Sequence, residues 1–412
     1  MQTNEKNISK RNFIGMLGVN ACLGLLGLFV NVFLIAQVFF VTGYCLMSVS
    51  LFLLLEVIAI FVFYALSSFV CKKVRAIWMT RISTVLVCIF LFLVVVWDDG
   101  LYSHFMLFGF IWGSIVGLYW GAMNFLIAKV FNREGVARFF VGNFAVAAVV
   151  GIVFPFTFGF AIDYGSWILT SGAVLAVGVL MFVFTLIIKT EMQDDRHLRM
   201  REYFRSLKRA EHLRPAIYLW FVVFLAGFPH MTIALMTILI IIVYGTNTGI
   251  GIMGSVFAVV GIVVLLLYKV ARPRVKNTMF WIASIFPLVV SIPLFFFVEP
   301  WSIIIFNLAL VLIRNVVMVE EAGARINAVR FWGGEEFLIE SHLFYEFAFF
   351  VGRMFACGLL ILIAFIGVTQ VSLAIAISVI IGCWTLHGLL LWFWKRKYAA
   401  TEVSLKVLSE GV

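Results

Sequence analysis

The chain has 412 residues, of which 64% are hydrophobic and only 12% are charged, and its mean hydropathy is +1.13. Apolar tracts of roughly twenty residues recur from one end to the other, and about twenty helical residues cross a bilayer core about 30 Å thick. A soluble globular protein is therefore excluded. Because a chain in lipid must satisfy its backbone hydrogen bonds internally, the tracts predict about twelve membrane-spanning helices.

The net charge of +10 is compatible with a nucleic-acid partner, but the distribution of the charges argues against one. Lys and Arg gather at both termini and in every second loop, for example at 72–75, 129–138 and 269–276. The alternate loops carry acidic residues such as Asp163 and Glu299, and no Lys or Arg. This is the positive-inside distribution, and it predicts a multi-pass protein of the cell membrane with both termini cytoplasmic.

The sequence lacks the motifs of enzymes and metal sites. Its six cysteines lie within or at the ends of apolar tracts, without metal-ligand spacing, and are expected to be small buried hydrophobic residues. There is no P-loop, no zinc-binding HExxH and no convincing pair of nucleophile and base. We therefore expect no enzyme activity, no cofactor and no bound metal.

The first two predicted spans carry polar side chains in apolar surroundings. Span 1 (13–39) contains Asn20 and Asn31, whose amides are candidates for lining a substrate cavity, with hydrogen bonding between helices as the more common alternative. Span 2 (45–70) places Glu56 near its middle. A carboxyl group at that depth is either paired or protonated, so Glu56 is a candidate for proton coupling, with a structural hydrogen bond as the alternative.

Span 4 (104–128) carries four glycines at intervals of four residues, which places them as a groove along one side of a helix. Such a groove lets another helix approach closely, so we assign these glycines to helix packing. Asn124, near the inner end of the same span, is a candidate for the substrate cavity. The glycines are Gly109, Gly113, Gly117 and Gly121.

A polar and basic segment separates the first six spans from the last six. Within it, Met200, Phe204 and Leu207 share a face opposite many basic residues, which predicts an amphipathic helix on the inner leaflet. The chain is thus expected to form an N-terminal six-helix bundle, a cytoplasmic linker, a C-terminal six-helix bundle and a cytoplasmic tail. The predicted divisions are residues 1–189, 190–215, 216–394 and 395–412.

Span 7 (216–243) is interrupted about halfway by Gly227, Phe228, Pro229 and His230. Proline removes a backbone hydrogen bond, and freed carbonyls at this depth are tolerated where they line a cavity. His230 is therefore a candidate for binding substrate or a proton. A hydrogen bond from His230 to a neighbouring helix is the alternative.

Span 10 begins near residue 301 and carries a polar stripe. Within it, Glu321 and Arg325 are four residues apart and can pair. Arg314 has no carboxylate within one turn and lies about 20 Å from the outer end of the span, at about 1.5 Å per residue. Its partner must come from another helix, from water or from a ligand. We predict that Arg314 orients substrate in a cavity, with Asn307 in the same stripe.

Two similarities indicate an internal repeat. Residues 113–131 align with residues 313–331, and the sequence FFVG at Phe139 recurs at Phe349. If FFVG aligns the two halves, span 11 begins near Phe349. The acidic residues before it, up to Glu346, would then belong to a long cytoplasmic connection.

That alignment also predicts a cytoplasmic gate. It places Arg353 only about 6 Å inside span 11, at the level of Asn143 in the first half. Ion pairs that form and break near the inner end would open and close the protein to the cytoplasm. The predicted gate residues are Glu321, Arg325, Glu346, Arg353 and Asn143.

Over essentially its whole length the chain resembles the major facilitator superfamily of secondary transporters, most clearly in GLYWGAMN (117–124) and in the pair Gly352 and Arg353. The resemblance implies an all-α membrane protein with two pseudo-repeated six-helix bundles around a central cavity, lined by spans 1, 4, 7 and 10. It also implies a small-molecule substrate, driven by a proton gradient or by its own gradient. The loop after span 2, SSFVCKKVRAIW, lacks the aspartate usual in the family.

The leading hypothesis is a proton-coupled secondary transporter that moves a small anionic or zwitterionic solute by alternating access. Two alternatives stay open: a transporter fold that serves as a membrane sensor or partner subunit without turnover, and a flippase for a lipid-type substrate. The expected partners are the substrate, the bilayer and protons, with no nucleic acid, and the protein is expected to be a monomer.

Overall fold

The structure is a computed structural model that describes residues 2–71, 73–97, 100–131, 133–190, 198–296, 299–333 and 336–409. Over these residues the chain is helical, with short connections. The α-helices are α1 (Gln2–Leu28), α2 (Ile35–Val41), α3 (Leu46–Val70), α4 (Ala76–Val96), α5 (Gly100–Val130), α6 (Arg133–Tyr164), α7 (Trp167–Ile187), α8 (Met200–Arg209), α9 (Leu213–Ala226), α10 (His230–Tyr244), α11 (Asn247–Val270), α12 (Pro273–Ser291), α13 (Pro300–Gly333), α14 (Leu338–Ile366) and α15 (Gln370–Ser409).

Twelve segments among the described residues are long and apolar enough to cross a membrane, which agrees with the predicted number. A π-helical segment, Phe29–Leu34, joins α1 to α2 within the first of them. The seventh consists of α9 and α10 with the predicted break between them. A 3₁₀ segment, Ile292–Phe295, extends α12. The chain is thus an all-α protein with the apolar helices of an integral membrane protein.

The helices pack into two compact units that do not follow chain order. Unit 1 comprises Met1–Leu198, Ile233–Val259 and Leu360–Ile366, and unit 2 comprises Arg199–Thr232, Val260–Leu359 and Gly367–Val412. The contiguous division into residues 1–189 and 216–394 stays a prediction.

In unit 1, the glycines of α5 lie directly against the backbone of α3. A Cβ atom added to Gly113 would lie 2.2 Å from the carbonyl oxygen of Glu56, and one added to Gly117 would lie 2.3 Å from that of Ile60. Any larger side chain would force the helices apart, so the groove expected from the spacing has α3 as its partner. In order, Gly109, Gly113, Gly117 and Gly121 face the carbonyl oxygens of Phe52, Glu56, Ile60 and Tyr64.

The linker helix α8 packs on unit 2 through Tyr203 and Leu207, of which only Leu207 belongs to the predicted face. Tyr203 and Leu207 are buried and pack with Ala216 and Phe337, whereas Phe204 is 37% exposed. The buried residues lie four apart, as expected for one face of a helix. Protein therefore covers Leu207 of the predicted face, whereas Phe204 keeps exposed surface.

The predicted start of span 11 near Phe349 is wrong, because α14 begins at Leu338. Glu340 and Glu346 thus lie within the helix. Glu340 in the first turn is favoured by the helix dipole, and its Oε1 accepts a hydrogen bond of 2.9 Å from the backbone N–H of Arg199. The FFVG similarity does not mark a helix start.

The segment predicted as a tail is also helical. α15 continues past residue 395 as far as Ser409, so the last span and this segment form one helix. The sequence KRKYAATEV contains several strong helix formers, which is consistent with this continuation.

Candidate functional site

Arg314 lies near the middle of its membrane span on α13, and its side chain is exposed. Among the described residues, none forms a hydrogen bond or an ion pair with its guanidinium group. A guanidinium group carries five N–H donors and a charge that is costly to leave unpaired in a membrane. Its donors are therefore available to water or to an anionic ligand.

The neighbouring amides on α13 are used within the helix itself. Asn307 is 8% exposed, and its Nδ2 donates to the carbonyl oxygen of Ile303 at 2.9 Å. Asn315 makes the same kind of bond, also 2.9 Å, to Val311. Arg314 thus has free donors, whereas the amide of Asn307 has a partner in its own helix, and the cavity role of both stays a prediction.

Four of the five predicted gate residues come together in unit 2, around the ring of Phe349. Arg325 Nε lies 3.2 Å from Glu321 Oε1, and Arg353 Nη1 lies 3.0 Å from Glu346 Oε1. The two guanidinium carbons lie over the Phe349 ring, at 5.1 and 5.2 Å from its centroid. We call these five residues the arginine–phenylalanine cluster.

The cluster is balanced in charge, with two carboxylates and two guanidinium groups. Glu321 is the most deeply buried, with 1% of its side chain exposed against 23% for Arg325, and the second pair is 13–18% exposed. The face of an aromatic ring attracts cations, so Phe349 reduces the repulsion between the two arginines. The sequence predicts the charges of the cluster but not the ring that joins them.

The break between α9 and α10 lies beside this cluster. A Cβ atom added to Gly352 would lie 2.0 Å from the carbonyl oxygen of Phe224, so α14 touches the backbone of the broken span. His230, the first residue of α10, is half-buried, and a Cβ atom added to Gly227, three residues before it, would lie 2.9 Å from the backbone nitrogen of Arg353. The structure thus brings the predicted proton-binding histidine close to a predicted gate arginine.

In unit 1, three polar side chains join α1, α5 and α6. The hydroxyl group of Tyr119 donates to Asn20 Oδ1 at 2.5 Å, and Asn20 Nδ2 donates to Asn143 Oδ1 at 2.9 Å. The amide of Asn20 is therefore used between helices, the alternative left open above, and its partner is the fifth predicted gate residue. Tyr119 was missed, although GLYWGAMN contains it.

The other predicted polar residues of unit 1 are Glu56, Asn124 and Asn31. Glu56 is buried, with 1% of its surface exposed. Asn124 Nδ2 donates to the hydroxyl group of Tyr64 at 3.3 Å. Asn31 is half-buried in the π-helical segment and makes no hydrogen bond with any side chain that the structure describes. Such segments are frequent at functional sites, because they widen a helix locally.

The described residues contain no group of three His, Cys, Asp or Glu side chains able to hold a metal ion. No protein-family model matches the sequence, and a search of curated proteins found no match.

Solved structures of membrane transporters match the fold over nearly the whole chain. The nucleoside transporter NupG aligns with a TM-score of 0.63 and 14% identity, over 94% of this chain and 99% of its own. The POT family transporter PepTSo aligns with a TM-score of 0.65 and 10% identity, over 95% of this chain and 98% of its own. A bacterial homologue of the iron transporter ferroportin, in an inward-facing state, aligns with a TM-score of 0.57 and 14% identity, over 94% of this chain and 98% of its own. The chain therefore has the major facilitator fold.

Proposed function

We propose that this protein is a secondary active transporter that moves a small solute across the cell membrane by alternating access. The fold supports this proposal, because the similar solved structures are transporters. The observation that carries it is Arg314, a mid-span arginine with accessible surface and no partner among the described residues. Such a costly group is retained in a membrane span where it has a task.

Arg314 favours an anionic or zwitterionic substrate. A guanidinium group presents a planar pair of N–H donors that matches a carboxylate or phosphate in a bidentate arrangement. The proposed role is to fix the orientation of the anionic group while the rest of the solute contacts apolar walls.

The arginine–phenylalanine cluster is our proposed cytoplasmic gate. Each of its two ion pairs lies within one helix, and Arg325 joins α13 to α14 through the Phe349 ring. Exchange of carboxylate partners between the two helices would stabilise a second arrangement. We further propose that Glu56 and His230 take up protons and couple the cycle to a proton gradient. Both are buried or half-buried ionisable groups within spans.

We propose that residues 1–189 and 216–394 are the two halves that move during the cycle and that both termini are cytoplasmic, in line with the distribution of Lys and Arg. We propose a monomer as the working unit.

Ligand-induced thermal stabilisation of the purified full chain would identify a substrate, from a panel of carboxylates, amino acids, nucleosides and short peptides. The last two are included because similar structures are described as a nucleoside transporter and as proton dependent oligopeptide transporters. Counterflow of the hit in proteoliposomes, at several pH values, would then test transport. We expect Arg314→Ala to reduce counterflow at least about tenfold, since it removes a charge-assisted hydrogen bond to substrate.

Asn315→Ala is the matched control, because its amide lies next to Arg314 but bonds to its own helix. Unchanged counterflow in both Arg314→Ala and Glu56→Gln would refute the proposed site. Ligand binding without accumulation would indicate a sensor or partner subunit instead, and movement of labelled lipid between leaflets would indicate a flippase.

A further inference from the structure

A cavity of about 550 Å³ lies in unit 2 where four helices meet. It is separate from Arg314 and from the arginine–phenylalanine cluster, and its walls come from α11, α12, α13 and α15. Its size falls within the range of about 300–1,000 Å³ typical of small-ligand sites. We call it the basic cavity, after its three basic residues Lys276, Lys395 and Arg396. The residues that line it also include Tyr268, Glu320 and Trp392.

The basic cavity has an excess of positive charge. Glu320 accepts a hydrogen bond of 2.6 Å from the hydroxyl group of Tyr268 and forms an ion pair with Lys395. That pair neutralises one lysine. Lys276 and Arg396 have no ion-pair partner among the residues that the structure describes, so two positive charges face the cavity.

Aromatic rings hold these two cations in place. Lys276 Nζ lies 5.7 Å from the centre of the Tyr268 ring, and the guanidinium carbon of Arg396 lies 5.1 Å from that of Trp392. Trp392 is fixed in turn by a hydrogen bond of 2.9 Å from its Nε1 to Asn277 Oδ1. A site whose cations are already positioned loses less side-chain entropy when an anion binds.

The cavity lies at one end of the membrane spans, where lipid headgroups are found. The span of α11 ends at Val270, that of α12 begins at Pro273, and that of α15 ends at Tyr398, only a few residues from the cavity walls. Tryptophan is common at this depth of a membrane protein. Basic pockets between helices at the cytoplasmic surface are suited to anionic headgroups.

We propose that the basic cavity binds a phosphate group. The phosphate belongs either to an anionic phospholipid or to a soluble phosphate compound, and both offer the same oxygens to Lys276 and Arg396. The inference does not depend on transport, since it uses neither Arg314 nor the cluster. Glu320, which accepts a hydrogen bond from Tyr268, positions Lys395 through their ion pair.

The test uses the purified full chain and a variant in which both cations are replaced, K276Q/R396Q. Binding is measured by native mass spectrometry with phosphatidylglycerol or phosphatidylcholine, and by titration with glycerol 3-phosphate and with inorganic phosphate. We expect wild-type protein to bind at least one of the anionic probes, and K276Q/R396Q to bind that probe about tenfold or more weakly. Phosphatidylcholine, which has no net charge, should bind weakly to both.

The matched control is K269Q/R274Q, which removes two exposed positive charges near the same span ends but outside the cavity. It should bind the probe within about twofold of wild type, because it leaves the cavity charges in place. Since Arg396 is exposed, R396Q alone serves as a second variant if the double variant does not fold.

Binding of phosphatidylglycerol alone would assign the site to lipid, and binding of glycerol 3-phosphate or inorganic phosphate would assign it to a soluble compound. Either result supports the proposal if K276Q/R396Q no longer binds that probe. Absence of binding to every anionic probe, or equal loss in the control variant, would overturn it.

Discussion

α5 and α13 occupy matching places in the predicted repeat, yet they make opposite kinds of contact. The glycines of α5 lie on the backbone of α3, so this part of the contact depends on close fit and not on charge. At the places of Gly113 and Gly117, α13 carries the fully buried Ile313 and Val317, and one turn later it carries Glu321. Glu321 pairs with Arg325 on the same helix, and Arg325 in turn lies over the Phe349 ring of α14.

The difference indicates which contact can change. Helix backbones in direct contact fit in one register, and every displacement separates them or makes them clash. Ion pairs around a ring can exchange partners at little cost in shape. We therefore infer that α3 and α5 move as one body, and that α13 and α14 adjust against each other.

The largest expected effect comes from filling the contact between α3 and α5. In Gly113→Leu, the added Cβ alone would lie 2.2 Å from the Glu56 carbonyl oxygen, so the two helices must separate. Overpacking costs about 1–3 kcal/mol and occasionally more, and separating two backbones belongs at the upper end. We expect little folded protein, measured as the monodisperse fraction after solubilisation in detergent.

Gly172→Ala on α7 is the matched control, since an added Cβ there meets nothing within 4 Å. It should be neutral or stabilising by up to about 1 kcal/mol, because alanine favours the helix. A normal yield of folded Gly113→Leu would contradict the rigid contact.

The second expected effect comes from removing one member of the buried ion pair on α13. Arg325→Leu leaves Glu321, whose side chain is 1% exposed, without its partner. Breaking a buried pair costs about 3–5 kcal/mol, and the 23% exposure of Arg325 favours the lower value of about 3 kcal/mol. The free energy of unfolding, from denaturant titration in detergent, measures this loss.

The double variant Glu321→Leu/Arg325→Leu removes both charges. It should regain the stability of the wild type to within about 1 kcal/mol, because apolar residues often replace a buried pair without loss. Equal instability of the single and double variants would mean that packing, and not the ion pair, stabilises this part of α13.

These two regions also differ in how well the sequence predicts them. The four-residue spacing of glycines is a local pattern, so the groove on α5 could be foreseen. Its partner could not, because every helix offers the same backbone carbonyls. For the cluster, the pair Glu321 and Arg325 follows from helix geometry. The role of Phe349 depends on how α13 and α14 pack, which no spacing encodes.

The misplaced start of α14 has a related cause. The sequence between residues 335 and 346 is rich in glutamate, and isolated carboxylates indicate a solvated connection. In the structure, Arg199 and Arg353 supply partners for Glu336, Glu340 and Glu346. The basic cavity was missed for a similar reason: Lys276 and Arg396 fit the positive-inside pattern, and only the meeting of α12 with α15 gives them a further use.

A smaller effect is expected in the polar network of unit 1. Tyr119→Phe removes the hydrogen bond to Asn20 Oδ1 from a site where the ring is fully buried. Leaving a buried acceptor unsatisfied costs about 1–3 kcal/mol, and Asn20 keeps its bond to Asn143, so we expect about 1–2 kcal/mol. Thermal unfolding in detergent measures it.

Tyr102→Phe provides the control, because Tyr102 is 62% exposed, and its effect should stay within about 0.5 kcal/mol. If Tyr119→Phe behaves in the same way, the network does not contribute to the stability of unit 1, and the contact between α3 and α5 is its main support.

The smallest effect concerns pH and His212, which precedes α9 and stacks on Trp332 at 6.1 Å between ring centroids. Burial lowers the pKa of His212 below its usual value, and the charge of Glu211 opposes this only in part. The folded state therefore binds the proton less tightly than the unfolded state. Hence the stability is unaffected at a pH above the usual histidine pKa of about 6.5, and it decreases as the pH falls below that value.

We expect His212→Gln to reduce the loss of melting temperature between pH 7.5 and pH 5.5 by about 1 °C, because one protonation that favours unfolding is removed. His104→Gln is the control for replacing a histidine, since His104 is exposed. The comparison of the two profiles isolates His212 from the other histidines. Identical profiles for wild type and His212→Gln would show that the stacking on Trp332 does not affect protonation, and that the linker contributes no acid sensitivity to unit 2.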